Sequence, residues 1–168
     1  MKNKKIDFIN ISIKDRELLD KLSKNKNFKS YLKDHKEIHA DFSSLLEKKK
    51  PHFTYCVATS GDKLLSLIIT ADMTEDHPEY IKPWIEEEKK TLWMNLIFLD
   101  KVEETELLLA FTTHCSKDNG ALLADPEVKE ESIIALYEAA GFTRVGTYIK
   151  GQGFFKGTSH YVMKLKIS

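Results

Sequence analysis

Ala124-Asp125-Pro126, then Ser132-Ile133-Ile134-Ala135-Leu136-Tyr137-Glu138-Ala139-Ala140-Gly141-Phe142, then Val145-Gly146 is the stretch of this chain on which the fold turns. Residues 121–124 form a short apolar run that reads as a strand ending before Asp125. Residues 130–140 read as a helix, closed by Gly141 in the C′ position that favours glycine. Residues 143–148 and 160–166 read as two closing strands, joined by a glycine-bearing turn over 151–157. Asp125 and Pro126 stand twelve and eleven residues before Tyr137.

Upstream, residues 92–99 are almost continuously apolar, as a central buried strand is. Residues 102–114 then predict a helix carrying Leu107, Leu108 and Phe111 inward. Phe53, Tyr55 and Val57 alternate, which predicts a half-buried strand, and Ser60-Gly61-Asp62 turns it into a second strand over 64–70. Residues 72–83 are polar, contain two prolines and read as a loop, and Trp84 opens a short helix over 84–88. At the start, Ile6, Phe8, Ile9, Ile11 and Ile13 predict a strand near 6–12. Ser12 then caps a helix with Leu18, Leu19 and Leu22 on one face. A second helix is expected over 29–48, with Ile38, Phe42, Leu45 and Leu46 on one face, stopped by Pro51. The order β, α, α, β, β, β, α, β, α, β, β predicts an α/β fold: a mixed sheet with helices on both faces. No repeat and no linker interrupts it, so one domain over 1–168 is expected.

Composition narrows the function classes. The 168 residues are 42% hydrophobic and 31% charged, a globular balance. Lysine plus arginine equals aspartate plus glutamate at 26 each, so no net field favours nucleic acid or anionic lipid. The lysines of the first fifty residues and the acids of the middle read as solvated faces. The two cysteines, Cys56 and Cys115, follow no signal-like segment and read as free thiols of a cytoplasmic protein. No apolar run approaches the roughly 20 residues that span a bilayer. His35 and His39 have zinc-ligand spacing, but Lys36 stands where a zincin motif needs glutamate and no third ligand is evident, so no metal is expected. Gly151-Gln152-Gly153 lies in a hairpin rather than between strand and helix, where a phosphate loop belongs.

The segment quoted at the outset, with Gly157, His160 and Met163, resembles the signature of the GNAT superfamily of acyl-CoA-dependent N-acyltransferases. It is similar to the branch that holds aminoglycoside 6′-N-acetyltransferases and siderophore-biosynthesis acetyltransferases, and the match covers about the last fifty residues. The resemblance implies a GNAT fold, with a central, mostly antiparallel mixed sheet of about six to seven strands flanked by helices. It implies acetyl-CoA as co-substrate and a primary amine of a small molecule as acceptor, with no nucleic-acid or membrane partner. A homodimer is an assembly it leaves open.

Amine acylation requires a deprotonated amine, donors for the oxyanion, an acid for the leaving thiolate and a cradle for the diphosphate. The resemblance implies that Tyr137 protonates the thiolate. It places the co-substrate against Ile97, Phe98, Leu99, Val102, Thr105 and Glu130. It also points to Asp72, Glu75 and Trp84 as an acceptor pocket. Two departures stand out. Where the family carries glycines in the cradle, this chain has Asp100-Lys101-Val102-Glu103-Glu104-Thr105-Glu106-Leu107, with no glycine and four acids. One such carboxylate about 8 Å from a phosphate costs roughly 2 kcal/mol at an effective dielectric near 20, although the same acids suit a helix start. Glu130 stands where the family tends to place asparagine. No carboxylate lies on 93–97 to serve as base, which leaves the loop residues Asp72, Glu75, Asp76 and His77, or a water relay. Two other readings stay open: a non-catalytic binding or regulatory module, and a divergent acyltransferase that grips only the pantetheine arm and takes another acyl carrier.

Overall fold

The computed structural model describes residues 5–86, 89–150 and 156–167. Among them run β1 (Asp7–Asn10), α1 (Arg16–Lys24), α2 (Lys26–Asp34), α3 (Lys36–Leu46), β2 (Thr54–Ser60), β3 (Lys63–Asp72), a 3₁₀ helix (Glu79–Trp84), β4 (Lys90–Phe98), α4 (Glu104–Cys115), β5 (Asn119–Ala124), α5 (Glu131–Ala139), β6 (Thr143–Ile149) and β7 (Ser159–Lys166). The strands form one seven-stranded sheet in the order β1-β2-β3-β4-β5-β7-β6. Its described pairs are antiparallel except β4 with β5. The chain divides into two compact units, residues 1–70 with 96–102 and residues 71–95 with 103–168.

In the first unit the hairpin of β2 and β3 turns on Gly61-Asp62, with Ser60 opposite Lys63. Gly61 has φ of 60°, the first-position glycine of a two-residue hairpin loop. β2 is not half-buried as its alternation suggests: Tyr55, Cys56, Val57 and Ala58 are all buried. On the face that carries Tyr55, Phe42 of α3 packs edge-on against Tyr55 at 5.4 Å and Phe28 of α2 against Phe42 at 4.8 Å. The single helix expected over 29–48 is two. His35 leaves helical geometry (φ −126°, ψ 71°), and its ring stacks on Tyr31 with Nδ1 2.8 Å from the Tyr31 carbonyl oxygen. That side-chain contact satisfies a carbonyl at the break and closes α2 there. Ser12 is not the cap of α1. Asp15 holds that position, and the two close a turn: the Ser12 N–H donates to Asp15 Oδ2 at 2.6 Å, the Asp15 N–H to the Ser12 carbonyl at 3.1 Å and the Lys14 N–H to Ser12 Oγ at 3.2 Å. α3 ends at Leu46, ahead of Pro51, and Asp41 accepts the backbone N–H groups of His52 and Phe53 and the hydroxyl of Tyr55, fastening the return to β2.

In the second unit β5 is buried along its whole length, because β4 and β7 flank it and helices cover it. α4 contributes Leu107, Leu108 and Phe111, and α5 contributes Ile134, Leu136 and Tyr137. Gly141, with φ of 95°, follows the α5 C-cap as the sequence predicts. The short helix expected from Trp84 onward instead ends at Trp84. Residues 79–84 form the 3₁₀ turn and Ile85 is extended; Pro83 withholds one backbone donor, which suits a short turn rather than an α-helix. Glu87, Glu88 and the Gly151-Gln152-Gly153 turn lie outside the described residues.

Candidate functional site

Within the second unit, β4 and β5 run parallel in register from Thr91 opposite Ala121 to Trp93 opposite Leu123. Past that pair they no longer hydrogen-bond each other, although β4 runs on to Phe98. Asp125 sits at this parting, one residue beyond the end of β5.

Its carboxylate is held from both sides. The indole N–H of Trp93, the last paired residue of β4, donates to Oδ1 at 2.7 Å, and the hydroxyl of Tyr148 on β6 donates to Oδ2. Its backbone is pinned as well. His160 Nδ1 lies 2.7 Å from the Asp125 carbonyl oxygen, and the Tyr161 N–H donates to the carbonyl of Pro126. A carbonyl only accepts, so His160 carries a proton on Nδ1, and Nε2 faces the Thr158 hydroxyl at 2.8 Å. Trp93 and Tyr148 are neutral donors, and among the described residues no lysine or arginine pairs with Asp125. The aspartate side chain is therefore held in place by two neutral donors.

Aromatic rings line the same place. Tyr80 of the 3₁₀ helix stacks on Tyr148 with centroids 4.2 Å apart, and Tyr148 stacks on His160 at 5.4 Å. Burial, and then the charge of Asp125, push the Tyr148 hydroxyl far above the ordinary tyrosine value, so it remains a donor across the working pH range. The 3₁₀ helix that carries Tyr80 is fixed by Ile81 and Trp84, which join a cluster with Leu123 and Val162. Trp84 lies so close over Gly146 that a Cβ there would meet its ring at 2.3 Å. The bulge between Arg144 and Gly146 sets Gly146 opposite Val162, in register with that cluster. Glu86, just beyond, pairs with Lys164 of β7 at 2.7 Å.

The residues singled out from sequence fall as follows. Tyr137 is 3% exposed on α5 and meets Phe142 edge-on at 5.0 Å. Asp72 ends β3, accepts the Thr74 N–H and lies 3.9 Å from Lys90; burial opposes its ionisation, but those bonds and that charge bring its carboxyl below the ordinary range. Glu75 is exposed. Trp84 is half-buried in the packing just described. In the first unit, Ile97 and Leu99 are buried while Phe98 and Val102 are half-buried. The Leu99 backbone is already engaged, its N–H with Leu65 and its carbonyl with the amides of Asn25 and Asn27. In the second unit, Thr105 lies half-buried in the first turn of α4. Glu130 precedes α5 and turns back to accept the Glu127 N–H at 2.8 Å. The entry of α4 has no side-chain cap, so its first N–H groups stay open to an anion, while Glu103, Glu104 and Glu106 are exposed around it.

Sequence reading used Asp125 only as a mark of the fold, and passed over Trp93, Tyr80 and Tyr148. A carboxylate directly after the apolar run 121–124 is the available signal, since strand ends of open α/β sheets place side chains where ligands bind. Nothing local announces its partners, which come from β4, the 3₁₀ turn and β6. A separate shallow groove of about 350 Å³ is lined by Ile134, Glu138, Arg144 and Tyr161 among others. There Arg144 is committed to Glu138 at 2.7 Å and to the ring of Tyr161. Among the described residues no cluster of histidine, cysteine or acids suits a metal ion, and no helix is long and apolar enough to cross a membrane.

No family model matches the sequence, and no curated protein is similar to it. Solved structures are similar in fold. An aminoglycoside N(6′)acetyltransferase from Legionella pneumophila aligns over 99% of this chain and 95% of its own at 20% identity, with a TM-score of 0.73. AAC(6′)-Ib in complex with ribostamycin and coenzyme A aligns over 96% and 93% at 16% identity, with a TM-score of 0.66. The spermidine N-acetyltransferase SpeG of Vibrio cholerae aligns over 99% and 96% at 13% identity, with a TM-score of 0.61. The fold of this chain is thus the GNAT fold, the one these acetyltransferases share.

Proposed function

We propose that this chain is an N-acyltransferase that moves an acetyl group from acetyl-CoA to a primary amine of a small molecule. The observation that carries the reading is Asp125: a carboxylate fixed by two neutral donors where β4 and β5 cease to pair, with no lysine or arginine against it among the described residues, on a fold whose solved relatives are named as amine acetyltransferases. In this reading Asp125 receives the acceptor's ammonium, and Asp72 and Glu75 add negative charge on the approach. The amine loses a proton to water and attacks the thioester carbon. The N–C bond forms, the C–S bond breaks, the thiolate takes a proton from the Tyr137 hydroxyl, and the proton shed by the acylated nitrogen returns through water to restore that hydroxyl. In this reading backbone N–H groups of β4 donate to the oxyanion and to the pantetheine arm.

The donor's diphosphate is assigned to the entry of α4. The open N–H groups fit an anion, and Thr105 lies in that first turn. Glu103, Glu104 and Glu106 oppose it, but they are exposed, where water and salt screen their charge. These acids favour one alternative, a binding module that has lost the co-substrate. Calorimetric titration with acetyl-CoA, dephospho-CoA and pantetheine separates the two, followed by thiol release with a panel of primary amines. Micromolar binding that weakens as phosphates are removed, with thiol released on amine addition, is expected. No heat at millimolar acetyl-CoA would sink the acyltransferase reading.

A further inference from the structure

We propose that Tyr80 and Tyr148 form an aromatic wall beside Asp125 that selects acceptors whose ammonium is carried on an apolar or aromatic frame. The inference rests on the reading that Asp125 receives an amine, and it narrows the class of amine. A carboxylate alone attracts every ammonium ion about equally, so discrimination has to come from what surrounds it.

Four features of the second unit supply it. The rings of Tyr80 and Tyr148 are nearly parallel, 22° apart with centroids at 4.2 Å, and His160, 6% exposed, backs them at 5.4 Å and 24°. Because the Tyr148 hydroxyl is bonded to Asp125, the same ring holds the carboxylate and the wall in one fixed relation. Tyr80 is 42% exposed although one of its faces is covered by Tyr148, so its other face meets solvent. The wall also has little freedom to retreat, since Ile81 and Trp84, both following Tyr80, anchor the 3₁₀ helix that presents it.

A cation against the face of a tyrosine ring is attracted by the ring's quadrupole, most strongly when it is weakly hydrated. An arylalkyl ammonium sets its charged head at Asp125 and lays the polarised C–H groups beside the nitrogen, with its apolar frame, on the Tyr80 face. A small ammonium crowded by hydroxyls keeps its water and gains little from the ring. Tyr148 is therefore a positioning residue, acting through Asp125, and Tyr80 is the surface that discriminates.

The test uses the whole protein and phenyltrimethylammonium, a cation with no N–H to acetylate, so that binding is read by calorimetry without any acyl donor. Glucosamine is the hydroxylated comparison. Phenyltrimethylammonium is expected to bind more tightly than glucosamine. Tyr80→Ala is expected to weaken it about fivefold or more, Tyr80→Phe less than about twofold because the ring face is kept, and Asp125→Asn to weaken both probes. Tyr148→Phe should weaken both probes as well, with thermal melts confirming that each variant is folded. Equal binding by Tyr80→Ala and wild type, equal losses in Tyr80→Ala and Tyr80→Phe, or tighter binding of glucosamine would each overturn the proposal. Cation binding with this pattern and no acetyl transfer to any amine would remove the proposed activity and leave the wall standing. Amine turnover untouched by Tyr80→Ala would do the reverse.

Discussion

Replacing Gly146 by alanine tests whether the contact with Trp84 fastens the segment that carries Tyr80. The new Cβ would lie 2.3 Å from Cζ2 and 2.6 Å from Cη2 of Trp84. Carbon atoms rest at about 3.5–4.0 Å, so the indole has to rise by roughly 1 Å. It cannot do so freely, because Trp84 packs on Ile81, Leu123 and Val162. Overpacking of this kind costs about 1–3 kcal/mol. Taking about 2 kcal/mol, the melting temperature of a chain this size falls by about 4–8 °C. The assay is a double-mutant cycle in thermal or urea unfolding: wild type, Gly146→Ala, Trp84→Ala and both together. Trp84→Ala is itself destabilising, but it removes the obstacle, so Gly146→Ala should cost under about 0.5 kcal/mol in that background. A loss of equal size in both backgrounds would refute the reasoning, because the cost would then belong to the backbone of β6 and not to the ring.

Three further outcomes are expected. Tyr137→Phe should lower turnover of acetyl-CoA with an amine acceptor about 10-fold or more while leaving the melting temperature within a few degrees; unchanged turnover removes Tyr137 as the acid. The Glu86 carboxyl is held below its ordinary value, chiefly by its hydrogen bond to Lys164, so the stability it contributes is present above the unfolded pKa of about 4.3 and is lost as pH falls through the lower folded value. Glu86→Gln should flatten the loss of stability between about pH 5 and pH 3, and an unchanged slope would show that the pair contributes nothing. Burial pushes the Cys56 thiol up to about 11, so at pH 8 only about one molecule in a thousand carries the thiolate. A disulfide reagent at that pH should leave native Cys56 unmodified and label it once urea unfolds the chain.

The fold was legible where a local pattern had one physical solution. The apolar run of β5, the helix closed by Gly141 and the paired strands after it stand as read, because a buried strand needs unbroken apolar residues and a left-handed C′ needs glycine. The Gly61-Asp62 hairpin is of the same kind. Reading failed where a side chain overrode the local pattern. His35 breaks a helix whose periodicity continues through it, by stacking on Tyr31 and meeting its carbonyl oxygen. Ser12 and Asp15 exchange turn bonds, and a serine before an apolar face does not reveal which of two neighbours caps.

For the candidate site the division is sharper. The sequence determined that a carboxylate follows β5, since that is a statement about a single position. It also showed an acid-rich entry to α4, which the structure leaves exposed. Only the tertiary structure decided that Trp93, Tyr148 and Tyr80 converge on Asp125. Those residues lie 32, 23 and 45 positions from it along the chain. Hydrogen bonds and ring stacking act over a few ångströms, and the pairing of β4, β5, β6 and β7 with the anchored 3₁₀ turn is what brings those positions within reach.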